Sequence, residues 1–403
     1  MIKQSGILRG TNFTDLYFAS SPEPGGDLES QTERMFSQLG DNAKYIQYER
    51  IFVANPEDLE PVFEFRQRFY QKLGVEAPAT SYIVVPPCNG AKVGMVAIGV
   101  RPELGNKLEA ETLGGEFYNR ARIVDYDGFR QIYFGNVAGI RGGVPTKGFV
   151  DQLWEAMLSI HNRLEQNGFD FKRDMLRTWF SITDINKART DKRTNYMDFN
   201  EHVREKFLKE LLGYEDRYFA STGVGNGVNL DGRFAEASAI AYQQNGEFEV
   251  NFMDNRLQSH TKDYVGGDKP DDEKKNVCFE RGMQVITPTV VQYFVSGTAS
   301  IRNKQVVGKT LAQQTHVTAQ NIMVMLSDYD AGFFDTMMAV TYVKPGQDAS
   351  VVEKILTEYK IGPKQIPHLI VFNELCYRSL LVETELFAAV PLKEYMRRKA
   401  NTT

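Results

Sequence analysis

Two carboxylates near the C-terminus, Glu383 and Glu385, interrupt an otherwise apolar run, with Leu380-Leu381-Val382 before them and Leu386-Phe387-Ala388-Ala389-Val390 after them. Side chains alternate across a strand, so residues two apart share a face. Charged side chains are almost never fully buried unless paired. Each Glu is therefore either solvent-facing or buried for a purpose, and the run alone leaves both readings open. A carboxyl among apolar neighbours keeps its proton to higher pH and can act as a general acid near neutrality. Glu383 is the first candidate for that task and Glu385 the reserve. An anionic substrate would be held best by arginine, whose planar fork binds a carboxylate bidentately.

Other chemistries find less support. The five histidines (His161, His202, His260, His316, His368) show no HxH, HxxxH or HExxH spacing, so no metal site is expected. Three scattered cysteines, Cys88, Cys278 and Cys376, do not make a disulfide framework. No G-x-S-x-G occurs. The run Ser221-Thr222-Gly223-Val224-Gly225-Asn226-Gly227 has the glycines of a phosphate loop but lacks its Lys-Ser/Thr. The 403 residues are 42% hydrophobic and 25% charged, with a formal net charge of −5. That balance argues against nonspecific nucleic-acid binding. No apolar run approaches the ~20 residues a bilayer needs, and the N-terminus lacks the apolar core of a signal peptide. A cytoplasmic protein without a membrane or nucleic-acid partner is expected.

The elements that must position these residues repeat. Gln131-Ile132-Tyr133-Phe134, leading to Ala138, is matched by Gln292-Tyr293-Phe294, leading to Ala299. The offset is 160 at Tyr133/Tyr293 and 162 at Met175/Met337. Each copy reads strand, turn, amphipathic helix (Phe149–Leu164 and Leu311–Leu326), Gly-containing loop, strand. In the first helix Val150, Leu153, Trp154, Met157, Ile160 and Leu164 form one stripe. An order of elements kept at near-constant offset indicates duplication. We expect an α+β chain with a loop-rich segment over 1–40 and related domains over 41–210 and 211–403, the last carrying the site. Between the copies, Phe199–Leu212 reads as a charged, solvated helix. Ala237–Gln243 and Glu247–Met253 read as a hairpin turning at Asn245-Gly246, and Gly266–Asn276 as an exposed loop.

Ser296-Gly297-Thr298-Ala299, Asn321-Ile322 and Leu381-Val382-Glu383-Thr384-Glu385 resemble the Rid (YjgF-like) fold. More narrowly, the chain resembles the chorismatases. That resemblance is carried by Arg177-Thr178-Trp179, by Tyr196-Met197-Asp198-Phe199-Asn200 with Arg204 after it, and by Ala220-Ser221-Thr222-Gly223-Val224-Gly225. Phe279-Glu280-Arg281 and Cys376 seven residues before Glu383 complete it. The chain departs from the family pattern at Tyr377, Ser379, Val317 and Val306-Val307-Gly308-Lys309. The resemblance implies tandem Rid/YjgF-like (chorismate mutase-like) units, mixed β-sheets with helices on one face, and self-association through the sheet edges into a homo-oligomer, a trimer, with ligand sites in the clefts between subunits. It also implies cofactor-free hydrolysis of chorismate, a small anionic metabolite, with release of pyruvate to give a hydroxybenzoate or a dihydroxycyclohexadienoate. Glu383 would be the acid, and Arg193, Tyr196, Tyr264, Arg281, Cys376 and Arg378 would contact substrate. Rid-type enamine/imine deamination and noncatalytic metabolite binding are the alternatives.

Overall fold

The computed structural model describes residues 3–126, 128–141, 144–145, 148–188, 193–213, 218–227, 235–243, 248–261 and 277–402. The α+β class and the tandem mixed sheets are as expected, but among the described residues the large sheets number three. The first orders Lys3–Arg9, Phe13–Ser20, Val93–Pro102, Ile46–Val53 and Ala79–Val84. The second orders Ala220–Asn226, Met175–Thr183, Ala235–Gln243, Phe129–Val137, Arg120–Tyr126 and Glu109–Leu113. The third orders Glu249–Met253, Gly282–Ile286, Val290–Ala299, Val382–Pro391, Thr336–Val343 and His368–Phe372.

Register shows that the three are copies of one plan. Each ends in a parallel pair: Ile46–Val53 with Ala79–Val84, Met175–Thr183 with Ala220–Asn226, and Thr336–Val343 with His368–Phe372. The inner strand of each pair carries an irregularity at the same point, just before Tyr48, Arg177 and Met338. Counting on from there makes Arg50, Trp179 and Val340 equivalent. The last strand of each unit in chain order is also its central one.

The strands are apolar on both sides because both sides are covered. In Phe13–Ser20, Leu16 and Phe18 join a core with Met35, Phe36 and Val62 of the helices Leu28–Ser37 and Leu59–Leu73. Tyr17 and Ala19, pointing the other way, join a core common to all three units. There Tyr48 stacks on Trp179 at 5.8 Å and Trp179 meets Phe387 at 6.1 Å, one ring from each unit. Helix Phe149–Gln166 buries the predicted stripe Leu153, Met157, Ile160 and Leu164 against the outer face of the second sheet. Among the described residues no helix is long and apolar enough to cross a membrane.

Several sequence expectations need correction. Residues 1–40 are not a loop-rich segment, since they form two strands and a helix of the first unit. Their polar residues misled because Arg9 and Asp15 pair internally at 2.7 Å in full burial. A boundary at 210/211 cuts the second sheet, whose strands Ala220–Asn226 and Ala235–Gln243 both lie beyond it. Ala235–Gln243 makes no hairpin with Glu249–Met253. Both its edges are taken, by Met175–Thr183 and Phe129–Val137, and Glu249–Met253 opens the third sheet. The Asn245-Gly246 turn and the loop Gly266–Asn276 lie outside the described residues. The segment read as a solvated helix starts at Asn195–Phe199 and continues as a wide π-type helix, Asn200–Leu211. It buries Val203, Arg204, Phe207 and Leu208. Ala220–Asn226 is a buried strand rather than a phosphate loop.

Candidate active site

Strand Val382–Pro391 lies between Val290–Ala299 and Thr336–Val343. Its alternation sends Thr384 outward, where Thr384 Oγ1 lies 2.8 Å from Thr341 Oγ1. Glu383 and Glu385 point together toward the second unit, and both are buried. Their surroundings differ sharply.

Glu385 is fully engaged. Arg50 Nη1 donates to Oε1 at 2.5 Å and Arg177 Nη2 to Oε2 at 2.7 Å. Trp179 Nε1 donates to both oxygens and Tyr342 OH to Oε1 at 3.0 Å. Burial alone would raise its pKa, but the two guanidiniums outweigh it and hold the carboxyl below its ordinary range. A group so charged and so surrounded is no proton donor. This is structural chemistry.

Glu383 faces a cleft between the second and third units, shared with Tyr196, Arg204, Ser221, Gly223, Arg281 and Cys376. Val277, Phe279, Ala299, Ile301 and Tyr377 complete the wall. Only 4% of Glu383 is exposed, and among the described residues no cation pairs with it. Burial, and then the charge on Glu385, push its pKa up to about 8, while Arg177, Cys376 and Arg281 pull more weakly the other way. Cys376 Sγ lies 3.9 Å from Glu383 Oε2.

A bulge makes room for this carboxyl. The pairing of Val290–Ala299 with Val382–Pro391 shifts between Val295 and Thr298, so that Ser296 and Gly297 together stand opposite the single residue Glu385. A Cβ on Gly297 would stand 1.9 Å from Glu383 Oε1, so any larger residue would have to displace that carboxyl. The bulge also ties the units together. Ser221 N donates to Ser296 Oγ at 2.9 Å, and Gly297 N donates to Thr222 Oγ1 at 2.8 Å.

Arg204 is, with Arg281, one of two guanidiniums lining the cleft. It is 1% exposed, lies 4.6 Å over Phe199 and 5.1 Å over Phe180, and donates to Asn200 Oδ1 and Ser221 Oγ. Its Nε has no hydrogen-bond partner, and no carboxylate pairs with it among the described residues. Burial lowers its pKa. Leaving a buried guanidinium without an anion is costly, and an anionic ligand is what would relieve it.

The cleft thus gathers four of the sequence candidates, Glu383, Tyr196, Arg281 and Cys376. Burial, the first cause, keeps the Tyr196 phenol protonated far above neutrality, so it can only donate or accept hydrogen bonds. Arg193 does not line the cleft; it pairs with Asp198 at 2.9 Å and with Glu201. Arg378 does not line it either, its Nη2 donating to Asn186 O at 2.9 Å. Tyr264 lies outside the described residues. Sequence reasoning left Arg204 out of the site although the segment after Tyr196 pointed to it, and Gly297 had no signal beyond its turn. Elsewhere, the ligand atoms of Asp254, His260 and Glu280 lie within 4.8 Å of one another, close enough to hold a metal ion.

The chain is similar to a chorismatase of known structure at 13% identity and a TM-score of 0.65, over 92% of this chain and 98% of that one. At such identity the likeness is one of fold, and this chain has the chorismatase-like fold. A YjgF/YER057c/UK114-family protein from Mycobacterium tuberculosis matches 28% of this chain and 86% of its own, at 23% identity and a TM-score of 0.23. A Rid-family protein of unknown function from Yersinia pestis matches 35% of this chain and 100% of its own, at 16% identity and a TM-score of 0.26. No family model matches the chain, and no curated protein does.

Proposed function

We propose that this chain is a cofactor-independent, chorismatase-like enzyme that cleaves chorismate and releases pyruvate, with Glu383 as the acid. The observation that carries this reading is a buried, unpaired carboxyl in one apolar-walled cleft with a buried guanidinium, that of Arg204, which lacks a carboxylate partner. Chorismate carries two carboxylates and an enolpyruvyl ether. Protonation of the ether's terminal methylene carbon by Glu383 gives an oxocarbenium ion. Addition of water gives a hemiketal, which collapses to pyruvate and a dihydroxycyclohexadienoate; attack by a ring hydroxyl instead leads toward a hydroxybenzoate. In this reading Arg204 and Arg281 hold the carboxylates, and Tyr196 hydrogen-bonds a substrate oxygen. A noncatalytic relative would tolerate Glu383 exposed or salt-bridged, and it is neither.

The cleft as it stands has open room of about 40 Å³, whereas ligand pockets run to roughly 300–1,000 Å³. Substrate must therefore widen it, and Phe279, Cys376 and Tyr377 are the half-buried side chains of its wall. Pyruvate release from chorismate, followed with lactate dehydrogenase, tests the reading. Turnover by the wild type that is lost in Glu383→Gln supports it. A folded wild type that releases no pyruvate overturns it, and ammonia release from an imine substrate would then point to Rid-type deamination.

A further inference from the structure

Three units placed around one centre enclose three clefts, and register puts their residues in correspondence. The positions opposite Tyr342, Ser181 and Phe52 are Glu383, Glu236 and Gly94. On the facing edge strands, Thr222, Ser81 and Leu369 stand opposite Trp179, Arg50 and Val340, so Gly223, Tyr82 and Ile370 are equivalent. In the Glu236 cleft Tyr82 is large where Gly223 is small. Its ring stacks on Phe117 at 4.9 Å, Phe117 meets Phe63 at 5.1 Å, and these rings close that cleft.

The third cleft, between the third unit and the first, stays open. Its volume is about 560 Å³, within the roughly 300–1,000 Å³ of small-molecule sites. It keeps one more feature of the Glu383 cleft. Gly225 N donates to Glu374 O at 2.8 Å two residues before Cys376, and Phe372 N donates to Pro86 O at 2.9 Å two residues before Cys88. Cys88 therefore stands where Cys376 does, and it lines the cavity. The acid is missing. Gly94 takes the place of Glu383, and a Cβ there would press on Leu369 Cδ1 at 3.0 Å and Pro87 Cγ at 3.1 Å. This cleft has the room to bind and no carboxyl at the position of the Glu383 acid.

The lining specifies what it takes. Ala19, Leu369 and Ile370 give a buried apolar floor. Glu23, Glu353 and Lys364 supply charge of both signs, and among the described residues none of the three is ion-paired. An apolar tail with an ammonium and a carboxylate at one end satisfies all of them: the carboxylate to Lys364, the ammonium to the glutamates. We propose that the third cleft is a binding site, without turnover, for an α-amino acid with an apolar side chain. The proposal does not depend on the activity assigned to Glu383.

Titration calorimetry of the full chain with L-leucine and L-phenylalanine tests it, with 4-methylpentanoate and 3-methylbutylamine as probes lacking one charge each. Saturable binding of at least one amino acid is expected, together with weaker binding of both single-charge probes. Lys364→Ala should weaken the amino acid about tenfold or more, as the loss of a charge-assisted contact does. Ser350→Trp, an exposed helix position on the cavity wall, should abolish binding while circular dichroism and Tm stay unchanged. No saturable heat with either amino acid at millimolar concentration overturns the site. Single-charge probes binding as tightly as leucine overturn the ligand class, and undiminished binding in Ser350→Trp overturns the location.

Discussion

Glu383 and Glu385 show how two identical side chains on one face come to opposite states. Glu385 meets two guanidiniums and stays ionised, while Glu383 meets none at pairing distance and keeps its proton to about pH 8. The sign of the resulting pH effect is fixed. A carboxyl whose folded pKa lies above its unfolded value contributes stability fully present below the ordinary carboxyl range and lost as pH rises through about 8. Turnover that needs the protonated form falls through the same window. Glu383→Gln keeps the shape and removes the titration. We expect it to abolish turnover and to be more stable than the wild type at pH 9, by an amount on the order of a few kcal/mol. Urea titrations at pH 4 and pH 9 check this, and the gain should nearly vanish at pH 4. Arg204 gives the matching prediction for binding. Arg204→Met removes a buried charge that has no carboxylate partner, so stability should hold or rise, while kcat/KM falls by about a hundredfold or more with most of the loss in KM.

At the scale of elements the site depends on a bulge. Ser296 and Gly297 let the strand step aside where Glu383 points inward, and the same two residues bind the neighbouring unit. Gly297→Ala would place its Cβ on the Glu383 carboxyl oxygen, the movable end of a side chain, and 3.0 Å from Thr222 Cγ2. The expected result is a folded protein with Tm lowered by a few degrees and turnover nearly lost, checked by thermal melting beside the pyruvate assay. This dependence was only partly legible in the sequence. The apolar flanks of Glu383 signalled a buried strand, and the stripe on Phe149–Gln166 signalled a packed helix, because both patterns are local. The choice among arginines was not. Arg193, just before the helix, has Asp198 and Glu201 within reach in the turns that follow it, whereas Arg204 faces the cleft only because a wide helix packs its aromatic neighbours around it. The hairpin at Asn245-Gly246 failed for a related reason: turn chemistry is local, and strand pairing here is decided by which edges remain free.

The whole molecule is held by what its three units share. Duplication of the second and third was readable from matching side chains, while the first was harder to see because its inner face has diverged: Tyr48 and Arg50 stand where the second unit has Arg177 and Trp179. That divergence built the centre. Arg50 comes from the first unit, Arg177 and Trp179 from the second, and Glu385 and Tyr342 from the third. Withdrawing the third unit would leave Arg50 and Arg177 without their carboxylate, and withdrawing either of the others would take from Glu385 one of its two guanidiniums. Arg50→Ala, far in sequence from the cleft, should therefore cost about 3–5 kcal/mol, read as a lowered urea midpoint with unchanged slope. Arg50→Lys, which keeps the charge but not the fork that also reaches Tyr342 at 2.9 Å, should fall between. Because Glu385 is held below the ordinary carboxyl range, its contribution is present above that range and lost as pH falls through the depressed value. The deficit of Arg50→Ala should accordingly be widest near neutral pH and narrow in acid. A variant equally destabilised at every pH would show that packing of the Arg50 side chain, rather than its charge, binds the first unit to the other two.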